Sequence, residues 1–307
     1  MGVDSLKNMS RFIVTGATGF VGSMLCKKLL DDGHKVYIIS RENSDLSLLS
    51  GILNKVDLFR YDGEIDNLIQ YFCEIKADCV FHLASLFIPE HKSSDIDWLT
   101  SSNLKFGTEI LEAMRLSETK NIINTGTAWQ HYENEAYNPV CLYAATKQAF
   151  EAILDFYVKA YGFRSLTLKL FDVYGENDTR QKLINQLKNI SNSNQELKLS
   201  EGYQKIDFIH IDDVIKAYIC AWRLLDQTDF NGHQDYGVCT GRLITLREFI
   251  AKFEEINGVH VNVKFGERPY RQREVMEPWR EYTLLPNWTS SITLEDGLKR
   301  LFNDVEN

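Results

Sequence analysis

Arg11-Phe12-Ile13-Val14-Thr15-Gly16-Ala17-Thr18-Gly19-Phe20-Val21-Gly22 is the stretch on which the fold turns. Its first five residues form a short β-rich run, a strand signal. Gly16, Gly19 and Gly22 follow at three-residue spacing. A helical apolar pattern through Leu25, Leu29 and Leu30 then runs on to Gly33. Strand, glycine turn and helix in that order lift a glycine motif above coincidence. The glycines permit a tight turn and close backbone approach to a pyrophosphate resting on the helix N-terminus. The plainer reading is a glycine-rich turn without a ligand, but that does not require three glycines within one turn. Gly16, Thr18, Gly19, Phe20 and Val21 are therefore candidate cofactor contacts.

Strands and helices alternate from there through the first half of the chain, which predicts a parallel sheet with crossovers. Further strands are expected at 35–39, 56–61, 79–84, 121–125 and 165–171, with helices from about Leu99 through Met114 and after Tyr143. The run 79–84 is apolar throughout, as suits a strand covered on both faces. Gly16, Ser40, Asp62, Ala84 and Thr127 stand at carboxyl ends of these strands, where such sheets bind ligands. The expected fold is α/β: a Rossmann doubly wound parallel sheet with a smaller C-terminal substrate-binding lobe. Residues 10–174 and 207–243 would form the nucleotide-binding part, and 175–206 and 244–307 the lobe. Within the second half we expect an amphipathic helix near Leu183–Ile190 and a loop at Ser191-Asn192-Ser193-Asn194. Another helix opens near Asp212 or Asp213, either of which is a plausible cap.

An NAD-binding unit carries an acidic residue near the end of its second strand, for the ribose 2′-hydroxyl. Here Ser40 and Arg41 occupy that place. A hydroxyl and a guanidinium suit a 2′-phosphate, so NADP(H) is expected over NAD(H). A surface arginine opening a loop is the plainer account of Arg41.

Tyr143 and Lys147 lie four apart in Tyr143-Ala144-Ala145-Thr146-Lys147. On a helix they share one face. An ammonium beneath a phenol favours the phenolate and makes it able to exchange a proton near neutral pH. Alone, the spacing usually marks a solvated face; the glycine loop ahead of it gives it weight.

Bulk properties fit a globular enzyme: 307 residues, 44% hydrophobic and 25% charged. A net charge of −9 argues against general binding to nucleic acid or to acidic membranes. The six cysteines show no metal-ligand spacing, so no metal is expected and reduced, mostly buried thiols are. The start, Met1 to Lys7, lacks a signal-peptide core, and Leu6 stands where a myristoylation signal from Gly2 needs Ser or Thr. A cytoplasmic location is expected.

Taken together, the Gly16/Gly19/Gly22 loop, His82-Leu83-Ala84, Thr125-Gly126-Thr127, Tyr143…Lys147, the run from Leu168 to Gly175 and the run from Asp207 to Val214 resemble the extended short-chain dehydrogenase/reductase family, in the branch acting on nucleotide-linked sugars. The resemblance spans nearly the whole chain. It implies Tyr143 as general acid/base, Lys147 on the tyrosine and the nicotinamide ribose, and Thr127 as the hydroxyl that holds the substrate carbonyl oxygen. Thr127 would otherwise be an ordinary strand-end cap. It further implies Asp62, with Gly63 beside it, at the adenine end, and Leu83, Ala84 and Ser85 along the cofactor. A 4,6-dehydratase of the family carries Asp-Glu directly after the Thr; Ala128-Trp129 stands there, which disfavours that reaction.

A 16-residue link from Thr127 to Tyr143 and the segment from Arg268 to Met276 are similar to 4-ketoreductases of the CDP-abequose and CDP-paratose synthase type. These use NADPH to reduce the C4 keto group of a nucleotide-linked 4-keto-deoxysugar, for lipopolysaccharide O-antigen. Asp172, Arg180, Lys182 and Arg271 are the candidates facing the nucleotide diphosphate. Asp172 stands where many relatives have Asn, and Ile206 where they commonly have Arg, with Lys205 beside it. A nucleotide-sugar 4-epimerase with tightly bound NAD is the second reading, and a catalytically silent NADP-binding sensor the third. The resemblance also implies a homodimer built on the Leu99–Met114 and Tyr143 helices. Phe106, Ile110, Phe150, Leu154 and Tyr157 serve there equally as interface or as core.

Overall fold

The computed structural model describes residues 9–191, 193 and 195–303, so the Met1–Lys7 start and the Asn192 and Asn194 positions of the expected loop lie outside the described residues. In chain order the first half runs β1 (Arg11–Thr15), α1 (Phe20–Asp31), β2 (Lys35–Arg41), β3 (Asp57–Tyr61), α2 (Ile65–Ile75), β4 (Cys79–His82), α3 (Ile96–Thr100), α4 (Phe106–Leu116), β5 (Asn121–Thr127), α5 (Leu142–Tyr161) and β6 (Arg164–Leu170). The second half adds β7 (Asp172–Tyr174), α6 (Leu183–Ile190), β8 (Leu197–Leu199), β9 (Lys205–Ile206), β10 (Phe208–His210), α7 (Ile211–Leu225), β11 (Gly232–Val238), β12 (Ile244–Thr245), α8 (Leu246–Asn257), β13 (Val263–Phe265) and α9 (Leu294–Asn303).

Seven strands form one sheet in the order β11-β6-β5-β4-β1-β2-β3. The pairs β1/β2, β1/β4, β2/β3 and β4/β5 are parallel. The order reverses between β1 and β4, which is the switch point where doubly wound sheets open a ligand crevice. The Rossmann architecture expected from the strand–helix alternation is therefore present.

The described residues gather into two compact units. One comprises those within Met1–Thr125, Ala149–Thr167 and Ala221–Gln234; the other those within Gly126–Gln148, Leu168–Cys220 and Asp235–Asn307. Each has its own core. In the first, Phe72, Val80, Ile110, Met114, Ile122, Phe150 and Leu154 are buried together. In the second, Leu187, Phe208, Phe249, Phe253, Leu298 and Leu301 are. Burying each such side chain contributes roughly 1.5–3 kcal/mol.

Of the two roles open to Ile110, Phe150, Leu154 and Tyr157, these positions take the core one, with Phe106 packed against them. The thiols divide more evenly than expected: Cys26, Cys79 and Cys239 are buried, Cys73 is exposed, and Cys141 and Cys220 are in between. Neither aspartate caps α7. The His210 ring does so, its Nδ1 accepting the Asp212 N–H at 3.2 Å while Nε2–H donates to Glu176 at 3.0 Å. Among the described residues no helix is long and apolar enough to cross a membrane.

Candidate functional site

In the first unit the glycine turn sits at the switch point. Gly16 has φ +72°, and a Cβ there would lie 2.6 Å from Ala84 N and from Leu83 C, at the end of β4. A Cβ on Gly22 would come within 2.2 Å of Gly16 O. Only glycine lets the turn fold back this tightly. Gly19 is the N-cap of α1 and offers no side-chain cap, and the first turn of the helix holds no acidic residue. The leading N–H groups and the positive end of the helix dipole are thus left for an anion. This arrangement fits a dinucleotide pyrophosphate. Thr18 and Val21 are half-buried, whereas the Phe20 ring is buried and leaves only its backbone for such a contact.

Leu83 and Ala84 are held to β1 through Thr15, whose carbonyl accepts from Leu83 N and whose hydroxyl oxygen accepts from Ala84 N, both at 3.2 Å. Asn103 fastens the next two residues. Its Oδ1 accepts from Ser85 Oγ and Leu86 N, and its Nδ2 donates to Leu86 O. Asn103 is buried and lies in a π-helical turn, Ser101–Lys105, between α3 and α4. An insertion of that kind frequently marks a functional position. Nothing in the local sequence pattern announced it.

Ser40 is buried and Arg41 exposed at the end of β2. Asp62 is exposed, and its carboxylate accepts from Glu64 N at 3.0 Å and Asn67 Nδ2 at 2.8 Å. The Glu64 N–H, then Asn67, hold it below the usual carboxylate range. Gly63 beside it has φ +98° with open space around it.

In the second unit β5 delivers Thr127 to its last position. The Thr127 hydroxyl oxygen accepts from Trp129 N at 3.3 Å, capping a short 3-10 turn. Its own hydrogen meets no acceptor among the described residues, so the hydroxyl can cap and donate at once. Tyr143 and Lys147 lie one turn apart on α5, Tyr143 half-buried and Lys147 3% exposed. The Thr146 hydroxyl between them donates to Tyr143 O at 2.7 Å.

The cations expected to meet the substrate have distinct surroundings. Lys182 lies 3.8 Å from Asp172, so that carboxylate is countered rather than left to repel an anion. Burial pushes the Lys182 ammonium down, against the pull of Asp172. Arg180 is forked onto Asp178 through Nε and a terminal nitrogen, both at 2.7 Å. Arg271 lies over the Trp129 ring, 5.7 Å from its centroid. Arg273 lies 4.3 Å over Tyr132 and bonds Asn138. Its buried Nε meets no hydrogen-bond partner among the described residues. Lys205 pairs with Glu277 at 2.6 Å.

The short turn after Thr127 ends on His131, which sequence reasoning missed. His131 stacks on Trp279 with centroids 4.0 Å apart, and its Nε2 lies 2.9 Å from the buried Lys169 Nζ. Lys169 also pairs with Asp235 at 2.9 Å. Burial first, and then the Lys169 charge, push His131 down to about 4. The ring is therefore neutral. Nε2 accepts from Lys169, and Nδ1–H donates to Glu135 O at 3.1 Å.

The model of the NAD dependent epimerase/dehydratase family matches residues 12–236. The chain is 30% identical over 276 residues to a CDP-abequose synthase of Yersinia pseudotuberculosis, covering 89% of this chain and 93% of that one. It is 23% identical over 324 residues to a dTDP-4-dehydro-6-deoxyglucose reductase of Escherichia coli, covering 99% of each. Among solved structures it is similar to a UDP-glucose 4-epimerase of Thermotoga maritima holding UDP-glucose, with TM-score 0.83, 20% identity, and 95% and 97% of the two chains covered.

Proposed function

The chain belongs to the NAD dependent epimerase/dehydratase family of nucleotide-sugar enzymes, and from that premise we propose that it uses NADPH to reduce the C4 keto group of a nucleotide-linked 4-keto-6-deoxysugar, toward a deoxysugar of a surface polysaccharide. Tyr143 and Lys147 sharing a face of α5 carries this reading, and it is joined by a Thr127 hydroxyl that keeps a hydrogen to donate and by Ala128-Trp129, which supplies no carboxylate for a dehydration. The similarity to a synthase and a reductase of 4-keto sugar chemistry supports the same assignment.

When bound, the nicotinamide cofactor supplies the hydride. Tyr143 donates to the carbonyl oxygen and passes its proton as negative charge develops there. Thr127 donates a second hydrogen bond to that oxygen. Lys147 steadies the tyrosinate left behind and bonds the nicotinamide ribose. Lys182 and Arg271 meet the diphosphate, with Asp172 setting the position of Lys182; Arg180, already countered by Asp178, is the weaker partner. Ser40 and Arg41 favour NADPH. Residues 10–174 and 207–243 hold the cofactor in this scheme, and 175–206 and 244–307 the sugar nucleotide. The assembly is a homodimer, for which the large exposed side chains Trp98 on α3 and Phe156 on α5 are the support.

The test is to incubate the protein and NADPH with CDP-, GDP-, dTDP- and UDP-linked 4-keto-6-deoxysugars. Loss of NADPH absorbance with one of them, and an alcohol at C4 by NMR, is the expected result. Protein purified with tightly held NAD, interconverting 4-epimers without added NADPH, would overturn it in favour of an epimerase.

A further inference from the structure

The end of β2 is served by a second guanidinium that neither the glycine loop nor the Tyr143 helix accounts for. In the parallel register of β2 and β3, Ser40 pairs with Arg60 and Arg41 with Tyr61. Arg60 is half-buried there. One of its terminal nitrogens donates to Glu42 O at 2.8 Å and Arg41 O at 3.0 Å; Ser40 Oγ at 3.4 Å and Ser44 O at 3.5 Å are further off. That nitrogen carries two hydrogens, so the two short contacts are the bonds that hold. Its other nitrogens meet no acceptor among the described residues.

Resting on the NADPH assignment above, we propose that Arg60 is a specificity-determining residue of the cofactor site: it ties down the turn from Arg41 to Ser44 and turns its remaining N–H groups to the phosphate monoester on the adenosine ribose of NADPH. Without Arg60 the Glu42 carbonyl, and the lone pair of the Arg41 carbonyl that Ser44 N leaves unused, would set negative dipole ends beside a group carrying nearly two negative charges. Bound to Arg60, those oxygens are neutralised, and the planar fork still has donors that match phosphate geometry. Arg41 is an exposed side chain on a turn closed by one backbone bond, from Ser44 N to Arg41 O at 3.2 Å; Arg60 adds two more and fixes its shape.

Calorimetric Kd values for NADP+ and NAD+ test this on the wild type, Arg60→Met and Arg41→Met. The wild type should bind NADP+ the more tightly. Arg60→Met should weaken NADP+ by about tenfold or more while leaving NAD+ within about threefold. If Arg60→Met keeps the preference while Arg41→Met loses it, the role of Arg60 is overturned and the NADPH assignment stands. If the wild type prefers NAD+, that assignment falls and this one with it. Should circular dichroism show Arg60→Met unfolded, Arg60→Lys carries the test, because it keeps the charge without the fork. NADP+ should then bind several-fold more weakly, and an unchanged Kd would overturn the proposal.

Discussion

Gln130 Nε2 donates to Gln148 Oε1 at 2.9 Å, and the Oε1 of the same Gln130 amide accepts the Thr127 N–H at 2.9 Å. Gln130 is fully buried. One side-chain amide thus joins the turn that carries Thr127 to the α5 position next to Lys147, and its two partners fix which way round it sits. Replacing it with leucine removes both bonds and leaves two polar groups without that partner. Gln130→Leu should destabilise the protein by about 1–3 kcal/mol. It should also lower kcat by about 10- to 100-fold, since small misplacements of reacting groups are costly. Steady-state kinetics beside a urea titration would check this. A variant that loses stability but keeps kcat would make Gln130 a purely structural residue.

Tyr143→Phe should lower kcat by orders of magnitude and leave the NADPH Kd nearly unchanged, because it removes the proton donor and little else. Thr127→Val should cost about 10²–10³ in kcat, the typical loss for one donor to a developing oxyanion. Near-normal turnover in Tyr143→Phe would refute its assignment.

Gly22→Ala and Gly33→Ala separate the two ways a glycine can be required. At Gly22 the added methyl meets backbone at 2.2 Å, so the turn must move. At Gly33 φ is +83° but nothing lies within 4 Å, so only backbone strain is added. Gly33→Ala should cost about 1–2 kcal/mol and keep NADPH binding. Gly22→Ala should cost about 2–4 kcal/mol and lose it. Thermal melts with and without NADPH would show the difference as a lost ligand-induced shift in Gly22→Ala alone.

His131 should make the protein acid-sensitive in a defined window. Its folded pKa of about 4 lies below the unfolded value near 6.5. Between those values the unfolded chain binds the proton and the folded one does not, so stability falls as pH drops. The contribution is fully present above about 6.5 and spent by about 4, worth at most roughly 3 kcal/mol. Denaturant midpoints measured from pH 4 to 7 should show a slope that is shallower in His131→Gln. Equal slopes would place the acid sensitivity elsewhere.

What the chain disclosed in one dimension follows the range of the interactions involved. The β1 turn and the Tyr143/Lys147 pair are local patterns with periods of two and three to four, so they could be read directly. Asn103 and Arg60 could not, because a π-helical insertion and a β2–β3 register are set by tertiary packing. The acidic pair at 212 and 213 looked like a helix cap since carboxylates favour that position. The cap is instead a histidine whose ring doubles back on its own helix.

Asp213, relieved of capping, reaches beyond its own helix. Its carboxylate is wholly buried and accepts from Ser291 N and Ile292 N, both at 2.8 Å, and from Ser291 Oγ at 2.7 Å, with Lys216 at 3.1 Å. Burial pushes the carboxyl up, but the N–H of Ile292, the hydroxyl and N–H of Ser291 and the Lys216 ammonium together hold it below its ordinary value. The Asp213 carbonyl also accepts the Trp288 indole N–H at 3.0 Å, so one residue of α7 anchors the segment leading into α9. Asp213→Asn keeps the shape, and its amide oxygen can still accept from Ser291 N and Ile292 N, but the charge is lost and its Nδ2 donors come to face Lys216 Nζ and the Ser291 hydroxyl. It should cost about 2–4 kcal/mol, more than the loss of one neutral bond, because the Lys216 ammonium loses its acceptor and the bonds from Ser291 and Ile292 lose their charge assistance. Hydrogen exchange resolved to residues 288–293 should accelerate in the variant well beyond the change in the core strands. Uniform acceleration across the chain would mean that Asp213 contributes to global stability alone and does not anchor that segment.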